Sequence, residues 1–196
     1  MYRLNSLPYE YDELEPYIDT HTLGLHKNKH ERNYLNKLND LLIKNNYDFG
    51  YSLYDLVMNI DNFNFSDVDD IIFNLGGVIN HEIYFNSMSS KRVMPNDNLS
   101  VLIDSKFGSF DGFKDEFKKS ALSIKGSGYT FLVLDGNDLK VINLLNQDNP
   151  ISYGYIPLIG LDMWEHAYYI NYQNKKDLYI DNFFDVIDFS LANQIF

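Results

Sequence analysis

Gly160-Leu161-Asp162-Met163-Trp164-Glu165-His166-Ala167-Tyr168-Tyr169-Ile170 sets a carboxylate, the only Trp of the chain, a second acid and an imidazole within five consecutive positions. The apolar run Ile156, Pro157, Leu158, Ile159 leads straight into it and reads as a strand end or buried approach. So many polar groups in so short a span make poor core filling. Asp162 and His166 stand four apart, so a helix beginning here turns both toward one point, with Asp162 at its mouth as an N-terminal cap. A carboxylate oxygen and a neutral imidazole nitrogen that converge suit a borderline cation such as Zn, Mn or Fe. A capped helix whose His is satisfied in the core accounts for the same residues, and the remaining histidines decide between the two.

Composition narrows the classes. A chain of 196 residues is long enough to bury a core, as one domain or two small ones. Hydrophobic residues at 45% and aromatics at 16% belong to a folded, soluble protein. The formal charge of -12 offers no net positive field to replace counterions on phosphates, which argues against a general nucleic-acid binder. An anionic ligand must therefore be drawn in by a local basic patch. Cys is absent, leaving His, Asp and Glu as metal ligands and no thiol nucleophile. Met1 to Pro8 lacks an apolar segment and no apolar stretch is long enough to cross a bilayer, so a cytoplasmic protein without membrane contact is expected.

From Asp19 a helical pattern, which Asp19 or Thr20 can cap, places Leu23, His26, His30, Tyr34 and Leu38 on one stripe. Two imidazoles and a phenol on a core side need partners, although flanking Lys27, Lys29, Glu31 and Arg32 also fit a solvated face. Leu53 to Ile60 is a short helical piece, and a longer helix after Ser66 runs through Ile71, Leu75 and Val78 to Phe85. Gly76-Gly77 inside it costs helix propensity, which predicts a close approach by another segment. Ser87 to Asn98 reads as a linker, followed by helices over Leu99 to Ile103 and Phe110 to Lys125, the second opened by Ser109 or Asp111. Tyr129 to Leu134 and Leu139 to Leu144 are β-rich runs joined by Asp135-Gly136-Asn137-Asp138, a strong hairpin signal. Asn146 to Pro150 is a turn cluster, and a final helix is expected from Asp181 to Ala192. Helices first, then a small antiparallel sheet with helices around it, predict an α+β chain.

These residues resemble a known family. Leu7-Pro8-Tyr9-Glu10-Tyr11, the His26, Lys29, His30, Tyr34 stripe, Gly76-Gly77-x-x-Asn80-His81, Gly126-Ser127-Gly128-Tyr129, Asn146-Gln147-Asp148-Asn149-Pro150 and the Asp162 to Tyr169 stretch are similar, in order and over nearly the whole chain, to the iron/manganese superoxide dismutases. The resemblance implies an N-terminal antiparallel helical hairpin (residues 1–88) joined to a C-terminal α+β half (residues 89–196) with a three-stranded antiparallel sheet, and a metal between the two. It implies His26, His81, Asp162 and His166 as the metal ligands, and superoxide as substrate, disproportionated to dioxygen and hydrogen peroxide. Three neutral imidazoles and one carboxylate leave a trivalent centre with residual positive charge, attractive to a small anion. Of the five histidines, only His21 is left as ordinary surface once His30 is placed beside the site.

The same resemblance gives Gln147 the hydrogen bond to metal-bound solvent, Tyr34 the gateway position, and His30 a place behind it in a proton-supply network. Trp164 and Tyr129 would wall the pocket. Iron-type members typically carry a Gln four positions before the second His, where this chain has Gly77, and the Gln here comes from the later loop; this implies one Mn per subunit, with Fe or either metal allowed. The chain departs from manganese-type members at Val78 (usually His), Phe85 (an active-site Trp) and Tyr129 (commonly Trp), which implies a looser or more polar wall. Lys175-Lys176 replaces an Arg pair and joins Lys27 and Lys29 as a basic funnel for anions. The family also implies a homodimer or dimer-based oligomer, with Glu165 reaching the partner subunit's His166 and Tyr169 approaching the partner subunit's His30. A non-catalytic metal-binding or structural member of the same fold is the alternative, and a metallohydrolase has against it that no spare Glu stands at the right spacing to act as base.

Overall fold

A computed structural model describes residues 1–196, and its first helix starts where the sequence offers a cap. The Asp19 carboxylate accepts the Thr22 backbone N–H at 2.8 Å, satisfying one of the free donors of α1 (Thr20–Leu25). The chain then widens into a π-helical segment over His26–Glu31 before tightening into α2 (Arg32–Lys44), which buries Leu35, Leu38 and Leu42 along one face. Ser52 caps α3 (Leu53–Met58), and α4 (Val68–Asn86) packs along α2. From Asn74 to Phe85 every residue of α4 is buried, so this helix is the spine on which the two halves meet.

Asn96 and Ser109 cap α5 (Asp97–Phe107) and α6 (Phe110–Ser123). β1 (Gly128–Asp135) and β2 (Asp138–Leu145) pair antiparallel across the two-residue turn Gly136-Asn137, and β3 (Ile156–Asp162) pairs antiparallel with the other side of β1, giving the order β2-β1-β3. β1 is therefore central and covered on both faces. Leu132 and Leu134 point into the core shared with α5, α6 and α8, whereas Tyr129, Phe131 and Val133 point toward α2 and α4. The period-two alternation of one strand thus sends side chains to both cores at once. α7 (Glu165–Tyr172) and α8 (Lys176–Phe183) complete the fold, which is the expected helical hairpin half with an α+β half containing a three-stranded antiparallel sheet.

Three expectations need correction. The final helix spans Lys176–Phe183 rather than Asp181 to Ala192, because Ile187 and Asp188 leave it to bridge Met88 and Val93 of the expected linker. Asp162 is not the cap of the helix that follows: it ends β3, and its Oδ1 accepts the Trp164 backbone N–H at 2.7 Å, holding the two-residue corner before α7. Lys27 is no part of a solvated face or funnel. The wider π turn directs it inward, where Nζ lies 2.6 Å from Oε2 of the wholly buried Glu31.

Candidate metal centre

Each half of the chain delivers to one point two side chains that could hold a metal ion. His26 comes from the π-helical segment and His81 from the buried face of α4; Asp162 ends β3 and His166 lies in the first turn of α7. One ligand atom from each falls within 4.8 Å of all the others. Nε2 of His26, His166 and His81 lie 3.1, 3.5 and 3.9 Å from the single oxygen Oδ2 of Asp162. His81 Nδ1 donates to the Gly77 carbonyl at 2.5 Å, which fixes its tautomer and leaves Nε2 as a bare acceptor aimed at the cluster. Nε2 of His81 and of His166 are buried without any hydrogen-bond partner, and buried nitrogens are seldom left so.

The protonation states suit a cation. Burial pushes His26 down to about 4, against the opposing pull of Asp162, and pushes His81 well below the ordinary histidine value. Burial alone would raise Asp162, but the facing imidazoles of His166 and His26 outweigh it and hold the carboxyl well below its usual range. Neutral imidazoles at His26 and His81 beside an ionised Asp162, with the unpartnered His166 nitrogen facing the same oxygen, form a donor set that manganese, iron or zinc accepts, so the residues present fit a metal ion.

The surrounding side chains fall partly where expected. Gln147 Nε2 donates to the Tyr34 hydroxyl at 3.1 Å, and the Tyr34 ring lies 5.4 Å from that of His81. Burial raises the Tyr34 phenol while the Gln147 donor opposes it. Trp164 stacks on His166 with centroids 5.5 Å apart, the Phe85 ring stands 5.1 Å from that of His26, and the Tyr129 hydroxyl lies 3.4 Å from His81 Nδ1. His30 stacks on His166 at 4.0 Å and makes no hydrogen bond to Tyr34. A cleft of about 320 Å³ opens beside His166, lined by Gly126, Ser127, Trp164, Glu165 and Lys176. Lys29 and Lys175 are exposed outside that lining, as is Tyr169, while His21 is plain surface. The largest cleft, about 480 Å³, runs behind Gln147 among Val57, Met58, Leu75 and Tyr153; it contains no imidazole and is not the site.

The Gly76-Gly77 pair fulfils its expectation. A Cβ at Gly77 would sit 2.5 Å from the Tyr34 ring, and one at Gly76 would overlap the Gln147 carbonyl oxygen. Two buried amides, Asn80 and Asn149, stand in the quoted motifs but carry no role from sequence: Asn149 reads as a turn residue, and the signal for Asn80 is a carboxamide on a largely apolar helix.

Residues 1–89 match the alpha-hairpin domain of the iron/manganese superoxide dismutases, and residues 95–195 match the C-terminal domain of the same enzymes. The chain belongs to the iron/manganese superoxide dismutase family. Among its relatives in this family, manganese superoxide dismutase 2 of Bacillus anthracis is 39% identical over 98% of this chain and 93% of its own length. The manganese superoxide dismutase of Listeria monocytogenes serovar 1/2a is 39% identical over 100% of this chain and 97% of its own. That of Buchnera aphidicola subsp. Acyrthosiphon pisum is 37% identical over 98% and 97%.

Proposed function

We propose that this superoxide dismutase family member disproportionates superoxide at a mononuclear site held by His26 and His81 from residues 1–88 and by Asp162 and His166 from residues 89–196. The convergence of three imidazole nitrogens on one carboxylate oxygen carries this reading. A manganese or iron ion held there supplies the one-electron chemistry by which one superoxide is oxidised to dioxygen and a second, taking two protons, is reduced to hydrogen peroxide. The protein's part is to hold the ligands, admit a small anion and deliver protons. Tyr34 and Gln147, joined by a hydrogen bond at the edge of the ligand cluster, are the proposed route for the proton. His30, stacked on His166 and only half-buried, is proposed to take part in proton supply without a direct bond to Tyr34. Trp164, Tyr129 and Phe85 keep the approach narrow.

Manganese is the proposed working metal, with iron accepted. The supporting observation is steric: the helix position from which iron-type members extend a Gln is Gly77, and Tyr34 leaves no room for a side chain there. We further propose an isologous homodimer in which Glu165 and Tyr169 face the partner, since both are exposed and Glu165 borders the site cleft. Superoxide consumption by protein reconstituted separately with manganese and with iron tests the function. Activity with manganese is expected, and bound metal without turnover in either form would favour the non-catalytic alternative.

A further inference from the structure

Gln147 is held by a file of amides that leads away from the site. The Ile151 backbone N–H donates to Asn149 Oδ1 at 2.9 Å, and Asn149 Nδ2 donates to Asn80 Oδ1 at 2.7 Å. Asn80 Nδ2 donates to Gln147 Oε1 at 3.3 Å, and Gln147 Nε2 donates to the Tyr34 hydroxyl at 3.1 Å. A carboxamide donates from one end and accepts at the other, so each member dictates how the next must turn. The Ile151 N–H can only donate; it draws Asn149 Oδ1 toward itself, and the orientation of every later amide follows. A second main-chain group agrees independently. The Asp148 carbonyl can only accept, and it takes a bond from the same Asn80 Nδ2 at 3.1 Å. Asn80, Gln147 and Asn149 are all buried, where an amide turned the wrong way would set donor against donor with no water to relieve it.

We propose that Asn149 is a positioning residue for the site: together with the Asp148 carbonyl it sets the direction of this file, so that Gln147 offers its NH2 to Tyr34. The Tyr34 oxygen then accepts, and its own proton is left to be donated toward the substrate side. Asn149 makes no hydrogen bond to any of the four ligands and acts only through Asn80 and Gln147. The catalytic meaning of this polarity rests on the function proposed above; the polarity itself does not.

Asn149 Oδ1 also caps the short 3-10 turn Pro150–Tyr153, so an informative variant must keep that oxygen and lose the NH2. Asn149→Asp does so, and Asn149→Ser does so without adding charge, its hydroxyl ending one bond short of the position from which Asn80 is reached. The readout is the side-chain amide pair of Gln147 in the 15N spectrum of metal-free protein, identified by its loss in Gln147→Glu. In both Asn149 variants the pair is expected to move and to lose roughly five- to tenfold of its protection from exchange. In the manganese-loaded protein the alkaline limb of the pH–rate profile is expected to shift by roughly half to one pH unit. A Gln147 pair unmoved in folded Asn149→Ser, or a pH profile superimposable on that of the parent, would reduce Asn149 to a cap and overturn the proposal. If Asn149→Asp fails to fold, the serine variant alone decides. A parent protein that consumes no superoxide would defeat the proposed function and leave the amide result untouched.

Discussion

Glu31 is the least comfortable side chain outside the ligand cluster. It is wholly buried, Oε1 has no hydrogen-bond partner, and Lys27 on Oε2 is the buried cation set against two buried acids, Glu31 and Glu82, with the exposed Arg32 adding a weaker pull on Glu31. Asn5 steadies the second of these with a bond to Glu82 Oε1 at 2.8 Å. Burial pushes the Glu31 carboxyl up to about 7 from an ordinary 4.5, more than Lys27 can pull it down. Between those values the folded state holds a proton that the unfolded chain has released, so this group makes stability fall as pH rises from about 4.5 to about 7. His26 acts in the opposite sense. Its folded value near 4 lies below the ordinary 6.5, so its contribution is complete above 6.5 and is lost as pH falls toward 4. The two slopes partly cancel in the metal-free protein. Glu31→Gln removes one of them, and thermal unfolding of the metal-free variant should therefore gain stability with rising pH more steeply than the parent across pH 4.5 to 7; an unchanged slope would mean that Glu31 titrates normally.

Helix α4 owes its fit to two missing side chains. Gly76 lets the Gln147 main chain lie against the helix, and Gly77 makes room for the Tyr34 ring. Gly76→Ala collides with a backbone oxygen that cannot swing away, so it should cost about 1–3 kcal/mol by denaturant unfolding. Gly77→Ala meets a side chain instead. It should displace Tyr34 and depress superoxide consumption more than stability, and a variant with parental turnover would show that the phenol's placement is not critical. Much of this scale was legible beforehand. Asp19 or Thr20, and Ser109 or Asp111, announced helix starts, of which Asp19 and Ser109 are the caps used; Asp135 to Asp138 announced the hairpin, and the glycine pair announced a close approach, because each is a local preference with a local cause. The π turn at His26–Glu31 was not legible, since an i+4 run of His26, His30 and Tyr34 reads as ordinary helix. Hence Lys27 looked solvated. Asp162 looked like a cap because spacing alone does not reveal that a strand carries it to the corner before α7. The last helix ends earlier than its sequence suggests: Phe183, Phe184, Ile187 and Phe189 are all buried, yet the last two are held by pairing with the chain near Met88 and Val93 and not by helical periodicity. At the site, the four side chains that converge, His26, His81, Asp162 and His166, all stand in motifs quoted from the two halves, whereas the Asn80 and Asn149 amides depend on contacts far apart in sequence.

At the scale of the molecule, the formal charge of -12 opposes the approach of any anion, so delivery depends on local charge. Lys176 is the lysine that lines the cleft beside His166, with its ammonium 5.7 Å from the Tyr168 ring centroid. Lys176→Gln should lower superoxide consumption at low ionic strength by roughly two- to tenfold and flatten its dependence on salt, the difference closing as added salt screens the parent. An equal loss at all salt concentrations would point to structure instead of guidance. The proposed two-fold assembly has its own check: Glu165→Ala should shift sedimentation toward the monomer and lower metal retention, and a variant that sediments as the parent with full metal would remove Glu165 from the interface. All of this depends on His26, His81, Asp162 and His166 closing around one ion. Elemental analysis of manganese-reconstituted protein beside folded Asp162→Ala measures that directly: about one manganese per chain in the parent and close to none in the variant is the predicted result. Full metal in Asp162→Ala, or none in the parent, would contradict it.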